Sequence, residues 1–228
     1  MNLLDLIRRP HSFFEALRGQ PPRPWRFLWL PLLSGLLGGV GGVLLSRSVL
    51  SAQASGAASL PAGLLWVVTA FGSLFGSLVL WLLLWWLGTQ GAGRSARAGE
   101  VYGASFLVPL LWSLALTVLA LLFPPQVNVP APDLRGLSGQ ALLTAVQRYT
   151  SAVQAQFSES GVVRFSSFMG YAVYLVQFWL AYIGLRTMTG ERRPAWRGVL
   201  YPGLLLLALG VASLLVLSAA GSLLGRVQ

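Results

Sequence analysis

The chain has no cysteine and no lysine, a single histidine at His11, and few charged residues of any kind. Without cysteine there are no disulfides, thiolate metal sites or thiol chemistry, and the redox compartment leaves no mark on the sequence. Only 10% of the 228 residues are Asp, Glu, Lys or Arg, against roughly a quarter in an average soluble domain, so the surface of a water-soluble fold could not be covered. His11 lies among apolar and basic neighbours with no nearby pair of acids, and no H-E-x-x-H, G-x-S-x-G or G-x-x-x-x-G-K-[ST] pattern occurs. The string GTQGAGRSARAG, 88–99, resembles a glycine-rich phosphate loop only on the surface; it lacks the preceding strand, the lysine and the spacing, and reads as a short turn between helices. No enzymatic activity, metal or cofactor is expected.

What the chain does have is apolar sequence, 55% of it, gathered into long continuous runs. Runs at 27–45, 64–87, 101–123, 168–185 and 199–224 approach or exceed the roughly 20 residues needed to cross about 30 Å of hydrocarbon. Each must be helical, because an unpaired backbone group in hydrocarbon costs several kcal/mol and only a helix pairs them all locally. A β-barrel would need alternating segments of about ten residues rather than continuous apolar runs. The expected fold is therefore an all-α integral membrane protein of five spans. It has a cytoplasmic amphipathic tail at 1–26, a transmembrane domain at 27–224 with an outer loop at 124–167, and a short C-terminal tail at 225–228. The tail 1–26 has five arginines and is broken by Pro10, Pro21, Pro22 and Pro24, so it reads as retained rather than as a signal peptide.

Every basic residue is arginine, and the formal net charge is +10. The arginines sit in short segments between apolar runs, which favours anionic headgroups over nucleic acid as their neighbours. An orientation with the N-terminus inside places eleven of them on the cytoplasmic face and five on the other, so the positive-inside rule predicts N-in, C-out. Tryptophans at 25, 29, 85, 86, 179 and 196 fall near span ends, where amphipathic rings prefer the headgroup layer.

Three sets of residues stand out as candidates for function. Gly35, Gly38, Gly39 and Gly42 in the first span and Gly72 and Gly76 in the second form G-x-x-x-G spacings that let helix backbones approach, within the chain or between two copies of it. Tyr171, Tyr174, Gln177 and Tyr182 make the fourth span the most polar, and could line a groove among spans three to five. Arg8, Arg9, Pro10, Phe13 and Phe14 form a surface elbow, two short amphipathic turns expected to lie on the cytoplasmic leaflet. The stripe Leu142, Val146, Tyr149, Val153 and Phe157 predicts a helix over 138–159 that could lie on the outer leaflet, cap the helices or pair with a second copy. No Asp, Glu, Lys, Arg or His falls in the middle of a span, which disfavours an ion-coupled carrier, and Pro31, Pro109 and Pro202 are sites where a helix could kink.

Three stretches carry a family resemblance: DLIRRPHSFFEAL at 5–17, GRSARAGEVYGASFLVPLLWSL at 93–114 and FWLAYIGLRTMTGERRPAWRGVL at 178–200. With the span spacing, they resemble the prokaryotic Yip family, five-span membrane proteins related to the eukaryotic Ypt/Rab-interacting Yip proteins. The resemblance implies five helices, N-in and C-out, no enzymatic chemistry, and structural roles for Pro10 with Phe13 and Phe14, Tyr102 with Pro109, and Gly184 with Gly190. In the eukaryotic relatives the implied partners are prenylated small GTPases; this chain has a short tail where those carry a long cytosolic domain. The arginine-only, Ala- and Leu-rich composition suggests a prokaryote with a GC-rich genome, hence its cytoplasmic (inner) membrane. The expected role is a membrane scaffold or membrane-organising protein, with lipids and a second copy or another membrane protein as partners. The alternative is a small transporter, channel or lipid-moving protein working through the fourth-span groove.

Overall fold

The structure, a computed structural model, describes residues 3–56, 62–133 and 136–225. Arg135 and Arg226, counted above for orientation, and residues 226–228 of the C-terminal tail lie outside the described residues. Among the described residues nine α-helices follow one another: α1 Leu4–Arg8, α2 Pro10–Arg18, α3 Trp29–Gly56, α4 Ala62–Ala92, α5 Ala98–Ser105, α6 Leu107–Leu122, α7 Gly139–Glu159, α8 Gly161–Thr189 and α9 Arg192–Gly225. There is no strand among them. Five helical stretches are long and apolar enough to cross a membrane: Trp29–Ser51, Trp66–Ala92, Arg94–Leu122, Gly161–Thr189 and Arg192–Ala212. The helices overrun the apolar runs at their ends, because helical hydrogen bonding continues past the last greasy side chain.

The prolines explain the helix breaks. Arg9, preceding Pro10, is pushed out of the helical region to φ −143° and ends α1, while Pro10 opens α2, where its missing N–H is not needed. Span three divides at Phe106 between α5 and α6, and Pro109, without an N–H, cannot donate to the Ser105 carbonyl one turn back. Pro31 sits in the first turn of α3 and breaks nothing, whereas Pro202 lies inside a continuous α9. Gly190 closes α8 with φ +73°, its N–H reaching the Arg186 carbonyl at 2.9 Å.

The chain forms two compact units. One comprises residues 27–80 and 106–177. Here α3 is gripped through small residues. A Cβ on Gly39 would come within 2.7 Å of the Ala70 oxygen and 2.8 Å of its Cα, and one on Gly35 within 2.8 Å of the Leu74 Cα, so α4 packs on these two glycines backbone to backbone. On the side facing α6, Gly38 meets the Ser113 hydroxyl and Gly41 meets Thr117. Hydroxyls then donate across the contacts to helix carbonyls: Ser77 to Pro31 at 2.7 Å, Ser113 to Ser34 at 3.1 Å and Thr117 to Leu37 at 3.3 Å. Since lipid offers no hydrophobic drive between helices, close approach and such bonds are the available adhesion. A Cβ added at Gly42, Gly72 or Gly76 would meet nothing within 4 Å, so the glycine pattern divides into three residues in contact and three that are not. The α7 stripe packs Val153 against Val49 near the end of α3, flanked by Val127, Val129, Tyr149 and Phe157. The Gln156 side chain accepts from the Asn128 N–H at 3.0 Å, pinning the extended chain to α7.

The other unit comprises the residues up to 26, 81–105 and from 178 onward. Its core is built of larger side chains: Leu6, Phe13, Phe14, Leu17, Trp81, Tyr102, Leu180 and Leu185 are all buried. Gly39→Ala is expected to lower the thermal unfolding temperature in detergent, because its Cβ meets backbone that cannot yield. Gly42→Ala, with open space and a helix interior that favours Ala by about 0.5–1 kcal/mol, is expected to raise it.

Candidate functional site

The elements of the second unit converge on Arg97. After α4, Gly93 turns the chain with φ +87°, a 3₁₀ turn spans Arg94–Ala96, and Arg97 adopts a left-handed conformation, φ 50°, before α5. A non-glycine residue in that region carries strain unless its surroundings hold it. Arg97 is held on two sides. Its guanidinium pairs with Glu100 one turn on, and donates to the carbonyls of Leu17 at 2.8 Å, Gln20 at 3.0 Å and Pro21 at 3.4 Å. These lie at and just beyond the end of α2, where the Leu17 carbonyl also accepts the Gln20 N–H at 3.1 Å and the helix dipole favours a cation. Glu100, only 1% exposed, also accepts the backbone N–H of Arg23. The pair thus fastens both the end of α2 and the segment after it to the start of span three.

The N-terminal elbow is therefore a packed element. Phe13 and Phe14, expected to rest on the leaflet, are buried against protein, their rings edge to face at 5.3 Å. Phe14 and Val101 approach α8 where a Cβ on Gly184 would lie 2.7 and 2.6 Å from them; the missing side chain is the seat for Phe14. Leu6 and Leu17 are buried too, whereas Leu4, Ile7, Arg8 and Arg9 remain exposed. An amphipathic pattern states that one face must leave water, but not whether lipid or protein covers it.

Tyr102 resolves the proline in α9. Pro202 cannot donate to the Gly198 carbonyl, and the Tyr102 hydroxyl donates to that carbonyl at 2.7 Å in a buried setting. The helix runs on because a side chain from span three replaces the missing N–H. The residues 88–99, which read in sequence as one turn, divide: Gly88 and Gly91 stay within α4 as contact points for Tyr102 and for the Arg197 backbone, and only 93–97 leave the α-helical path. Trp25, Trp81 and Trp85 cluster with ring centroids 5.2–5.4 Å apart, and Trp81 donates to the Gly99 carbonyl at 3.2 Å. Beside this cluster Pro22, Pro24, Trp85, Arg94 and Glu100 edge a cavity of about 270 Å³.

The fourth-span residues do not assemble as a set. Tyr171 is exposed, and Tyr182 stacks edge-on with Trp196 at 5.9 Å in the Arg97-centred unit. In the glycine-packed unit Tyr174 alone of the four lines a cavity of about 420 Å³, between α3, α4, α6 and α8. Gln177 is buried, with neither amide atom hydrogen-bonded among the described residues. Sequence reasoning missed Arg97 and Glu100 as a pair, although their i, i+3 spacing beside a glycine-rich turn is the signal that marks them.

This geometry defines an all-helical, multi-pass membrane protein whose N-terminal segment is docked on its own spans. The Yip1 domain family matches residues 4–218, and the chain belongs to that family. No curated protein and no solved structure is similar enough to match. The residues that carried the resemblance fall largely together: Phe13, Phe14, Tyr102 and Gly184 share the Arg97-centred unit.

Arg97→Ala would leave Glu100 buried without its counter-charge, a loss of about 3–5 kcal/mol where such a pair is broken on one side. The expected outcome is faster protease cleavage between residues 19 and 26. Tyr102→Phe is expected to cost about 1–3 kcal/mol through the orphaned Gly198 carbonyl, read as a lower unfolding temperature without that cleavage.

Proposed function

We propose that this Yip-family membrane protein is a non-enzymatic membrane scaffold, oriented N-in, C-out in the cytoplasmic membrane of a prokaryote. The observation that carries the reading is the Arg97–Glu100 anchor, which holds the N-terminal elbow against the unit while Arg8, Arg9, Arg94, Arg186, Arg192 and Arg193 stay exposed. All six belong to segments that an N-in topology puts on the cytoplasmic side. Fixed guanidinium groups at that level suit anionic headgroups, each worth about 1 kcal/mol near a charged leaflet, and suit an acidic surface on a membrane-protein partner or second copy. Exposed Leu4, Ile7, Trp25 and Trp196 in the same unit add apolar contact for such a neighbour.

Cross-linking in native membranes, followed by mass spectrometry of the complex after delipidation, tests the reading. A defined homo-oligomer or a reproducible membrane-protein partner is expected, and charge reversal at Arg8, Arg9, Arg192 and Arg193 is expected to deplete it severalfold. A chain that stays monomeric and unpartnered overturns the scaffold. Thiol labelling of single cysteines at positions 12 and 128 of this cysteine-free chain reads the orientation: position 12 protected from, and position 128 open to, an impermeant reagent added outside.

A further inference from the structure

The cavity of about 420 Å³ in the glycine-packed unit lies within the volume range of small-molecule sites, roughly 300–1,000 Å³. Its wall combines apolar side chains, among them Leu80, Phe106 and Trp112, with hydroxyls of Ser34, Ser73, Ser77, Ser113 and Tyr174, and no ionisable residue other than that tyrosine lines it. Ser77 and Ser113 donate to Pro31 and Ser34 carbonyls. The hydroxyls of Ser34, Ser73 and Tyr174 have no hydrogen bond to any described residue. By contrast, Ser46, Thr89 and Thr117 turn back on the carbonyl four residues earlier at 2.7–2.9 Å. One helical turn beyond Val173 and Tyr174 on the same face of α8, Gln177 is buried with its amide oxygen and nitrogen both unpartnered.

Depth matters to what could satisfy these groups. Ser73 and Ser77 stand about 10–17 Å inside the Trp66 end of their span at 1.5 Å per residue, which is within the hydrocarbon. Unpaired donors there are costly. A phospholipid cannot bring its ester carbonyls so far in, because its charged phosphate holds them near the headgroup layer. A charged ligand would meet no counter-charge. An uncharged lipid with carbonyl acceptors fits both conditions: its chains lie on the apolar wall and its carbonyls accept from the hydroxyls.

We infer that this cavity is a binding site for an uncharged glycerolipid of the diacylglycerol class, held by hydrogen bonds from Ser34, Ser73 and Tyr174 to its ester carbonyls.

The test uses the full chain in nanodiscs of phosphatidylglycerol and phosphatidylethanolamine, with a photoreactive, clickable diacylglycerol as probe and peptide mapping of the label. Labelling is expected on the segments 73–80 and 106–116, displaced by unlabelled diacylglycerol and not by excess phosphatidylglycerol. Gly76 lines the cavity with nothing near its Cβ position, so Gly76→Leu fills the space from inside and is expected to reduce labelling roughly tenfold. Gly72→Leu, one turn away and outside the cavity wall, is expected to leave it unchanged, which separates occupancy from any effect on helix association. The combined variant Ser34→Ala, Ser73→Ala, Tyr174→Phe keeps the carbon wall and is expected to weaken binding roughly tenfold. It carries the test by itself should Gly76→Leu fail to fold. Label spread evenly over the spans, equal displacement by phosphatidylglycerol, or binding indifferent to the hydroxyl-deleting variant overturns the site; the last two point to an unselective lipid crevice.

Discussion

The ion pair between Arg97 and Glu100 organises the unit around it. A carboxylate with 1% exposure is tolerable in a membrane protein only with a counter-charge and further hydrogen bonds, and Glu100 has both, from Arg97 and from the Arg23 N–H. The guanidinium suits this position because its donors fan out in one plane: some meet the carboxylate while others reach several carbonyls beyond α2. A lysine would supply the charge without the fan. From this fastening follow the placement of α2, the seating of Phe14 over Gly184, and the burial of Leu6, Phe13 and Leu17. The left-handed backbone of Arg97 is a local strain that these contacts hold in place.

The two units solve the problem of adhesion in lipid differently. Around α3, small residues bring backbones together and hydroxyls donate to carbonyls that are already used by their own helices, a weak but repeatable form of contact. Around Arg97, the contacts come from bulky aromatics filling notches left by glycine: Phe14 at Gly184, Tyr102 at Gly88, and Trp85 against Gly99. Tyr102 does more than fill space. Its hydroxyl serves the carbonyl that Pro202 cannot, so a proline and a tyrosine far apart in the chain form one hydrogen-bonding unit.

The spans are legible because their signal is one-dimensional: run length and absence of charge suffice, and the Yip-family stretches agree on five. The helix ends are less so, since a helix does not stop where hydropathy does. Glycine spacing identifies Gly35, Gly38 and Gly39, which do meet other helices, but the same spacing at Gly42, Gly72 and Gly76 meets nothing within the described residues. A period of four residues says which positions share a face, and not what stands opposite. The same limit explains the elbow: the pattern of Phe13 and Phe14 requires burial, and only the partner, protein instead of lipid, is out of reach. The burial of Glu100, one residue before the third apolar run, is not legible in sequence because its depth depends on how the turn at 93–97 folds, and that turn rests on Gly93 and Arg97 adopting positive φ. The fourth-span tyrosines lie within one arc of α8, yet Tyr171 is exposed, Tyr174 lines a cavity and Tyr182 meets Trp196, because neighbours change along the length of a helix face.

The contact of α7 with α3 imposes an order on biosynthesis. Val49 leaves the ribosome early, while Val153, its partner, belongs to a segment made only after three spans have been laid into the bilayer. Until then Val49 lacks that cover, and α7, amphipathic rather than wholly apolar, must find its place on α3 after the third span has been made. Contacts of such long sequence separation form late and are vulnerable to competing associations in the interval. The proline-punctuated stretch before α7 shortens that interval: its extended backbone, with Val127 and Val129 facing the same cluster and Asn128 tied to Gln156, delivers the helix to its place on a restricted tether.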